Sequence, residues 1–326
     1  MKAVITGGSG HVGVALANSL ISRGHGVRAI VRTDAVGLKG LPVEQVPGDV
    51  SDPDSLRAAF QGAEVVFHTA ARISIVKADR GLVDGTNVGG TINVIAACRS
   101  AGVKRLVYFS SIEALEPLPR DSPVDETRPF VNHGSGSPYA HSKARAELAL
   151  REAIADGLDA VILNPTAIVG PYDFKPSFLG QAVLSFARGR IPMLIEGGFD
   201  WVDVRDVADA AVRAAQSAPR GERYIIGGRY ASMAELAQLV CGEAGIRPPR
   251  LMCPYPLASA FAPLSTAFCV VTRRAPLFTS YSLRVLKGNT RVSHQKAAAD
   301  LGYRPRDLGQ TVRDTLAWFR ENGGLD

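Results

Sequence analysis

The chain has 326 residues, 46% of them hydrophobic and 21% charged, which suits one large or two modest domains with a buried core. Its formal net charge of +6 comes from scattered Lys and Arg residues, and this scatter argues against a nucleic-acid partner. The four cysteines are far apart in sequence and form no ligand cluster. We therefore expect a reduced, cytoplasmic protein that holds no metal ion.

The apolar segment Leu257–Thr272 is the strongest candidate for a membrane contact. It is shorter than the roughly 20 residues that a spanning helix needs, and it contains Pro263. The first predicted strand begins at Lys2, which leaves no room for a signal peptide. We expect no integral membrane segment, and contact with a membrane surface is a minor alternative.

Strand-like and helix-like runs alternate through the first half of the chain. The predicted strands are Lys2–Thr6, Val27–Arg32, Val43–Val46, Glu64–His68, Lys104–Ser110 and Ala160–Asn164. This alternation predicts an α/β fold, a doubly wound parallel sheet with helices on both faces. After Pro165 prolines interrupt shorter elements. We expect a dinucleotide-binding Rossmann domain over residues 1–165 and a smaller, less regular substrate-binding domain over 166–326, with segments near 200–230 returning to the first.

The first strand leads into a glycine-rich turn and then an amphipathic helix. The turn and the start of this helix comprise Thr6, Gly7, Gly8, Ser9, Gly10, His11, Val12 and Gly13. Glycine tolerates positive φ and has no side chain to keep a phosphate away from main-chain amides. This arrangement predicts a dinucleotide-binding site.

The end of the second strand bears on the choice of cofactor. Arg32 stands where an acidic residue would bind the ribose hydroxyls of NAD. An arginine there can pair with a 2′-phosphate, which favours NADP. Asp34 lies close enough that NAD remains an alternative cofactor. Arg32 could instead be a solvated residue at the strand end, with no role in cofactor binding.

Other residues at strand ends are further candidates for cofactor contacts. Asp49 follows the third strand, where it could meet the adenine amino group while Val50 packs on the ring; a simple turn is the alternative for Asp49. Ala70 and Ala71 follow the fourth strand and are small enough to let a cofactor pass closely. We expect His68, just before them, to be structural.

Two separate stretches carry the predicted chemistry. Ser111 follows the fifth strand, and Tyr139 and Lys143 lie one turn apart on a helix that begins near Pro138. A nearby ammonium can lower the pKa of a phenol, so we expect Lys143 to make Tyr139 a usable acid or base. In reduction Tyr139 would protonate a carbonyl oxygen to which Ser111 donates a hydrogen bond.

These motifs together resemble the extended branch of the short-chain dehydrogenase/reductase superfamily, the NAD-dependent epimerase/dehydratase family. The resemblance extends over nearly the whole chain: Thr6–Gly13, Asp49-Val50, Thr69-Ala70-Ala71, Asn87-Val88-x-Gly90-Thr91, Ser110-Ser111, Tyr139-x-x-x-Lys143, Asn164-Pro165-Thr166 and Trp201 to Ala208. It implies Ser111, Tyr139 and Lys143 as a catalytic triad and places Pro165 near the nicotinamide. The resemblance also implies that Tyr139 and Lys143 contact the cofactor.

Within this branch the chain looks most like the dihydroflavonol-4-reductase-like group, which includes hopanoid-associated sugar epimerases. It is secondarily similar to 3β-hydroxysteroid dehydrogenases. Ala187 to Pro192 and Ser293 to Pro305 are among the segments that carry this likeness, and Arg32 matches its NADP-using reductases.

One departure bears on the substrate. Nucleotide-sugar epimerases typically have an arginine where this chain has Phe199. Without an arginine to bind the diphosphate of a sugar nucleotide, an uncharged hydrophobic carbonyl or alcohol is the better substrate. Other aromatic residues could line the substrate pocket or belong to the core: Phe178, Phe261, Phe268 and Phe278.

The resemblance leaves several functions open. We expect an NADP-dependent ketone or aldehyde reductase. The alternatives are a sugar epimerase or dehydratase that works through a 4-keto intermediate with NAD, a 3β-hydroxysteroid dehydrogenase, and a non-catalytic NADP-binding regulator. A homodimer through the helices Leu82–Ala101 and Tyr139–Ile154 is what the family implies.

Overall fold

The computed structural model of the chain describes residues 1–32, 35–74, 77–132, 136–260, 283, 286–288 and 290–325. Three of the four aromatic candidates, Phe261, Phe268 and Phe278, lie outside these ranges, as does Asp34. The apolar segment after Leu257 is described only as far as residue 260. Within the described ranges, no helix is both long and apolar enough to cross a bilayer.

The described chain alternates strands and helices along most of its length. The strands are β1 (Lys2–Thr6), β2 (Gly26–Val31), β3 (Val43–Pro47), β4 (Val65–His68), β5 (Arg105–Phe109), β6 (Ala160–Pro165), β7 (Ala167–Val169), β8 (Met193–Ile195), β9 (Gly198–Asp203), β10 (Arg223–Ile226), β11 (Arg229–Ser232) and β12 (Leu251–Cys253). The helices are α1 (His11–Ser22), α2 (Pro53–Phe60), α3 (Arg80–Asp84), α4 (Gly90–Ser100), α5 (Pro138–Ala155), α6 (Phe178–Ala187), α7 (Val204–Ser217), α8 (Met233–Glu243), α9 (Gln295–Leu301) and α10 (Leu308–Glu321).

The main sheet has seven parallel strands in the order β10-β6-β5-β4-β1-β2-β3. Its strands alternate buried side chains between two faces: Ile5 and Phe67 pack toward α1 and α7, whereas Val4 and Val66 pack toward α2, α4 and α5. Burial on both faces explains why these strands read as nearly continuous apolar runs. The predicted doubly wound fold is confirmed, and each predicted strand is present with ends that differ by no more than one residue.

The later part of the chain divides between the main sheet and smaller elements. The strands β11, β9 and β7 form a second sheet, and β8 pairs in parallel with β12. Around the second sheet, α6, α8 and α10 share a separate apolar cluster that includes Trp201. In contrast, α7 packs on the main core and β10 pairs with β6. The division into two domains stays a prediction.

The predicted helix Leu82–Ala101 differs from the structure in its first half. The chain forms α3, then a π-helical turn over Gly85–Gly89, and then α4. Glycine is a weak helix former, and the side chain of Asn87 bonds the main chain of Arg72 on a distant loop. Widening of the helix at this point turns the Asn87 amide inward.

Candidate active site

The glycine-rich turn between β1 and α1 has a shape that only glycines permit. Gly7 has a φ of 70°, and a Cβ on it would lie 2.8 Å from the Cα of Ala70. The amide of Gly10 donates to the carbonyl oxygen of Gly7 at 3.0 Å. A Cβ on Gly13 would come within 2.3 Å of that same oxygen. The turn therefore holds the start of α1 tightly against the end of β1.

The start of α1 has the properties of an anion site. Gly10 is its N-cap residue, and no side chain in the described part of the structure caps the helix there. The first-turn amides, including those of His11 and Val12, therefore keep their hydrogens for a ligand at the positive end of the helix. The residues present fit the pyrophosphate of a dinucleotide.

Other residues predicted at this turn surround it. Thr6 is buried and contacts the Nδ1 of His68 through its hydroxyl at 2.7 Å, and it also receives the amide of Ala70 at 3.4 Å. The Nε2 of His11 lies 2.9 Å from the carbonyl oxygen of Pro171, so this side chain joins α1 to the segment after β7. Ala71 is exposed.

Arg32 and Asp49 face one another at the carboxyl ends of β2 and β3. The Nη1 of Arg32 lies 3.5 Å from the Oδ2 of Asp49, and the arginine side chain is 72% exposed. Partial burial alone would raise the pKa of Asp49, but hydrogen bonds from Ser51 and the Arg32 charge lower it below its usual value. Spacing alone did not indicate this pairing of two predicted cofactor residues.

Val50 and Pro165 occupy buried positions near the same sheet edge. A Cβ on Gly90 would come within 2.7 Å of the Val50 side chain, so Val50 packs closely on the start of α4. Pro165 ends β6 beside Ile226 of β10. Their proposed contacts with adenine and nicotinamide stay predictions.

Ser111 and Tyr139 come together at the carboxyl end of the sheet. Ser111 caps a 3₁₀ turn after β5, where its hydroxyl accepts from the amide of Glu113 at 3.2 Å. Ser137 caps α5, and Pro138 fills the first helical position, as the sequence predicts. This start places the phenol of Tyr139 beside the Ser111 side chain.

Lys143 lies one turn along α5 and is buried. Its Nζ donates to the carbonyl oxygen of Phe109 at 2.6 Å and lies 5.1 Å from the ring centre of Tyr108. The ring centre of Tyr139 is 6.0 Å away. Burial lowers the pKa of Lys143 to about 7, while the charge of Glu147 opposes that shift.

The pKa of Tyr139 is raised, which differs from the sequence-based expectation. Burial is the main cause and the carboxylate of Glu113 adds to it, while the hydrogen bond from Ser111 acts in the opposite direction. The expectation failed because it counted Lys143 as a neighbour and ignored burial. The phenol therefore keeps its proton at neutral pH, as an unshifted phenol also would, and burial makes it a weaker acid.

Sequence reasoning gave no role to Asn87, which the structure places beside this cluster. Its amide donates to the hydroxyl of Ser142 at 2.8 Å, and Ser142 lies on α5 between Tyr139 and Lys143. The motif Asn87-Val88-x-Gly90-Thr91 was the one signal in the sequence that could have pointed to Asn87. Asn87 therefore fixes α5 against the chain that follows β4.

His68 is structural, as expected. Its two ring nitrogens lie 2.7 Å from the hydroxyl of Thr6 and 3.1 Å from that of Thr91. Burial, helped by the charge of Lys143, lowers its pKa to about 3. The ring is therefore neutral at physiological pH and links β4 to β1 and α4.

Two aromatic residues assigned to the substrate region have different surroundings. Phe199 is half-buried and packs edge-on against Trp201, with ring centres 5.3 Å apart. Phe178 begins α6 and is 57% exposed. Phe199 thus belongs partly to the core of the second sheet, whereas Phe178 is open to a partner or ligand.

A sequence profile described as the NAD dependent epimerase/dehydratase family matches residues 3–227. Sterol demethylase protein B of Methylococcus capsulatus is 37% identical over 99% of each chain. A Synechocystis protein, provisionally named a dihydroflavonol 4-reductase, is 32% identical over 98% of this chain and 94% of its own. The crystal structure of gox2253 is 35% identical and superposes with a TM-score of 0.88 over 100% of this chain and 99% of that one. The chain therefore belongs to the NAD dependent epimerase/dehydratase family, as an NAD(P)-dependent oxidoreductase of the extended short-chain dehydrogenase/reductase type.

Proposed function

We propose that this protein is an NADPH-dependent reductase of a ketone or aldehyde on a hydrophobic small molecule, with Tyr139 as the proton donor. The approach of the Tyr139 phenol to the Ser111 side chain, with Lys143 one turn further along α5, is the observation that carries the proposal. Two hydroxyls from different elements converge there, at the edge of a parallel sheet where this fold binds ligands. A carbonyl oxygen placed between them would receive a hydrogen bond from each.

The reductive direction is supported by the charge states of the site. Tyr139 holds its proton at neutral pH, and loss of that proton to a carbonyl oxygen leaves a phenolate. Ser111 would stabilise this phenolate through its hydroxyl, and Lys143 would be the nearest source of a replacement proton. Nicotinamide supplies the hydride when the reduced cofactor is bound.

Thr6, Gly7, Gly10, His11, Val12 and Gly13 would hold the cofactor pyrophosphate, and Arg32 would select the 2′-phosphate of NADP. Arg32 is 72% exposed and its present partner, Asp49, is 3.5 Å away, which leaves most of the guanidinium open. A phosphate dianion would compete with Asp49 for the same cation. Arg32 therefore favours NADP over NAD.

An uncharged, apolar substrate is supported by two observations. Phe199 replaces the arginine typical of nucleotide-sugar enzymes and packs on Trp201 rather than presenting a cation. A relative at 37% identity is named a sterol demethylase protein, which directs attention to polycyclic apolar substrates. In addition, the Glu113 carboxylate close to Tyr139 would repel an anionic substrate.

The test is a panel of 3-keto sterols, aryl ketones, aldehydes and nucleotide-diphosphate sugars, assayed with NADPH and with NADH. We expect NADPH oxidation with apolar ketones and none with the sugars. Purified protein that carries tightly bound NAD and isomerises a nucleotide sugar without added cofactor would contradict the proposal in favour of an epimerase.

Cellular location and assembly form a smaller part of the proposal. We propose a cytoplasmic homodimer that pairs through α4 and α5. The free thiols of Cys98, Cys241 and Cys253 support a reducing compartment. Ile92 on α4 and Leu148 on α5 are exposed apolar residues that such a contact would cover.

A further inference from the structure

A buried carboxylate on α5 connects parts of the molecule that the proposed mechanism treats separately. Glu147 lies one turn beyond Lys143, and none of its side chain is exposed. Its Oε1 receives Nε and Nη2 of Arg223 on β10, at 2.7 and 2.6 Å. Arg151, which is partly exposed, lies 3.5 Å from the same oxygen.

The second oxygen of Glu147 leads to the catalytic serine. Oε2 accepts from Nδ2 of Asn164 at 3.2 Å, and the same Nδ2 donates to the carbonyl oxygen of Ser111 at 2.9 Å. Two acceptors on one side fix the orientation of the Asn164 amide. Its Oδ1 has no hydrogen-bond partner among the described residues, so these two donations are what hold the side chain. Glu147 thus connects α5, β6, β10 and the segment after β5.

We propose that Glu147 is a positioning residue for the reaction: through Asn164 it sets the place of Ser111, and from one helical turn further along α5 it presents a buried carboxylate to Lys143. This inference rests on the proposed function of Ser111, Tyr139 and Lys143. Nothing in the Tyr-x-x-x-Lys pattern assigns this role to the residue four positions further along.

The charge of Glu147 acts on Lys143 because little else near the ammonium is anionic. Lys143 is faced by the phenols of Tyr108 and Tyr139, the carbonyl oxygen of Phe109 and the neutral ring of His68. Burial favours the uncharged amine, and Glu147 opposes it. Removal of the Glu147 charge should therefore lower the pKa of Lys143, and the cation would be lost at a lower pH.

Two variants of the same ion pair separate this role from simple structural support. Glu147→Gln removes the negative charge and keeps nearly the same shape, whereas Arg223→Met removes the partner and leaves the carboxylate in place. Both should lower the melting temperature, because each leaves a buried polar group without its partner. Only the first removes the charge that favours protonated Lys143.

The experiment measures the pH dependence of kcat/KM for NADPH-dependent reduction, together with NMR titration of the Lys143 side chain in the cofactor-free protein. Glu147→Gln should move the alkaline limb and the Lys143 titration to lower pH by about one unit or more. Arg223→Met should leave both unchanged or move them upward. An unchanged titration in Glu147→Gln, or the same downward shift in both variants, would overturn the proposal.

The two readouts also separate this inference from the proposed function. Suppose that Glu147→Gln lowers the pKa of Lys143 but leaves the pH profile of kcat/KM unchanged. Glu147 would then act on the charge of Lys143, but its positioning role in catalysis would be overturned. The same result would show that turnover does not need the Lys143 ammonium. If Glu147→Gln fails to fold, Glu147→Asp replaces it. That variant keeps the negative charge but moves it away from Asn164. We therefore expect a lower kcat, while the alkaline limb of the pH profile stays at the wild-type pH. A shift of that limb would contradict the proposal.

Discussion

The glycine-rich turn and the proposed catalytic cluster around Tyr139 lie at the same edge of the main sheet, yet different kinds of interaction determine their shapes. Main-chain sterics over a few consecutive residues determine the turn, as the φ of Gly7 and the close approach at Gly13 show. Side chains that are distant in sequence determine the cluster; Arg223 meets Glu147 across 76 positions. The first can be inferred from spacing, whereas the second depends on burial and on partners that spacing does not reveal.

The largest expected effect on cofactor affinity comes from a methyl group in the turn. Gly13→Ala would place a Cβ within 2.3 Å of the Gly7 carbonyl oxygen, so the turn must open. We expect NADPH to bind about 100-fold more weakly, consistent with an overpacking cost near 3 kcal/mol. Fluorescence titration of the bound cofactor measures this.

Gly26→Ala is the matched control, because a Cβ on Gly26 meets no heavy atom within 4 Å. It lies in the same β1-α1-β2 unit and should bind NADPH as the wild type does. Equal loss of affinity in both variants would mean that the turn itself is not the binding element.

An effect on kcat, and not on cofactor affinity, is expected at the serine that lies beside Tyr139. Ser111→Ala removes a hydrogen-bond donor to the carbonyl oxygen, and we expect kcat to fall by about 100-fold with unchanged cofactor affinity. Steady-state kinetics with an apolar ketone would measure it.

Ser110 provides the comparison for this variant. It precedes Ser111 at the same strand end, and its buried hydroxyl has no hydrogen-bond partner in the described structure. Ser110→Ala should retain wild-type kcat. A loss of similar size in both variants would point to a disturbed strand end rather than to a role of the Ser111 hydroxyl.

The smallest expected effect concerns the choice of cofactor. Arg32→Gln removes the cation that would bind the 2′-phosphate, and we expect KM for NADPH to rise about tenfold while KM for NADH stays the same. Arg28→Gln, on the same strand, is the control, because Arg28 bonds the carbonyl oxygens of Ala59 and Gln61 instead. An equal rise for both cofactors in Arg32→Gln would remove the basis for NADP selectivity.

The sequence predicts the sheet well because each buried strand is a short apolar run bounded by turn residues. It also predicts the start of α5, since Ser137 and Pro138 are local signals. It does not predict the π-helical turn at Gly85–Gly89, because the hydrogen bonds of Asn87 to a distant loop determine that feature.

The proposed catalytic residues show a second limit of the sequence. Spacing brings Tyr139 and Lys143 to one helix face, but the ionisation of both groups follows from burial. Lys143 donates its hydrogen bond to Phe109 on β5, a contact between elements 34 positions apart. No local pattern specifies where that ammonium points or how deeply Tyr139 is buried, and burial gave the shift of the Tyr139 pKa the opposite sign to the one expected.

Replacement of the Tyr139 hydroxyl tests the role of that phenol most directly. Tyr139→Phe removes one oxygen from a side chain that is 9% exposed, so the ring packing should survive. We expect NADPH to bind as in the wild type, while the rate of reduction in a single turnover falls at least about 100-fold. Reduction at the wild-type rate in a folded, cofactor-binding Tyr139→Phe protein would contradict the assignment of Tyr139 as the proton donor.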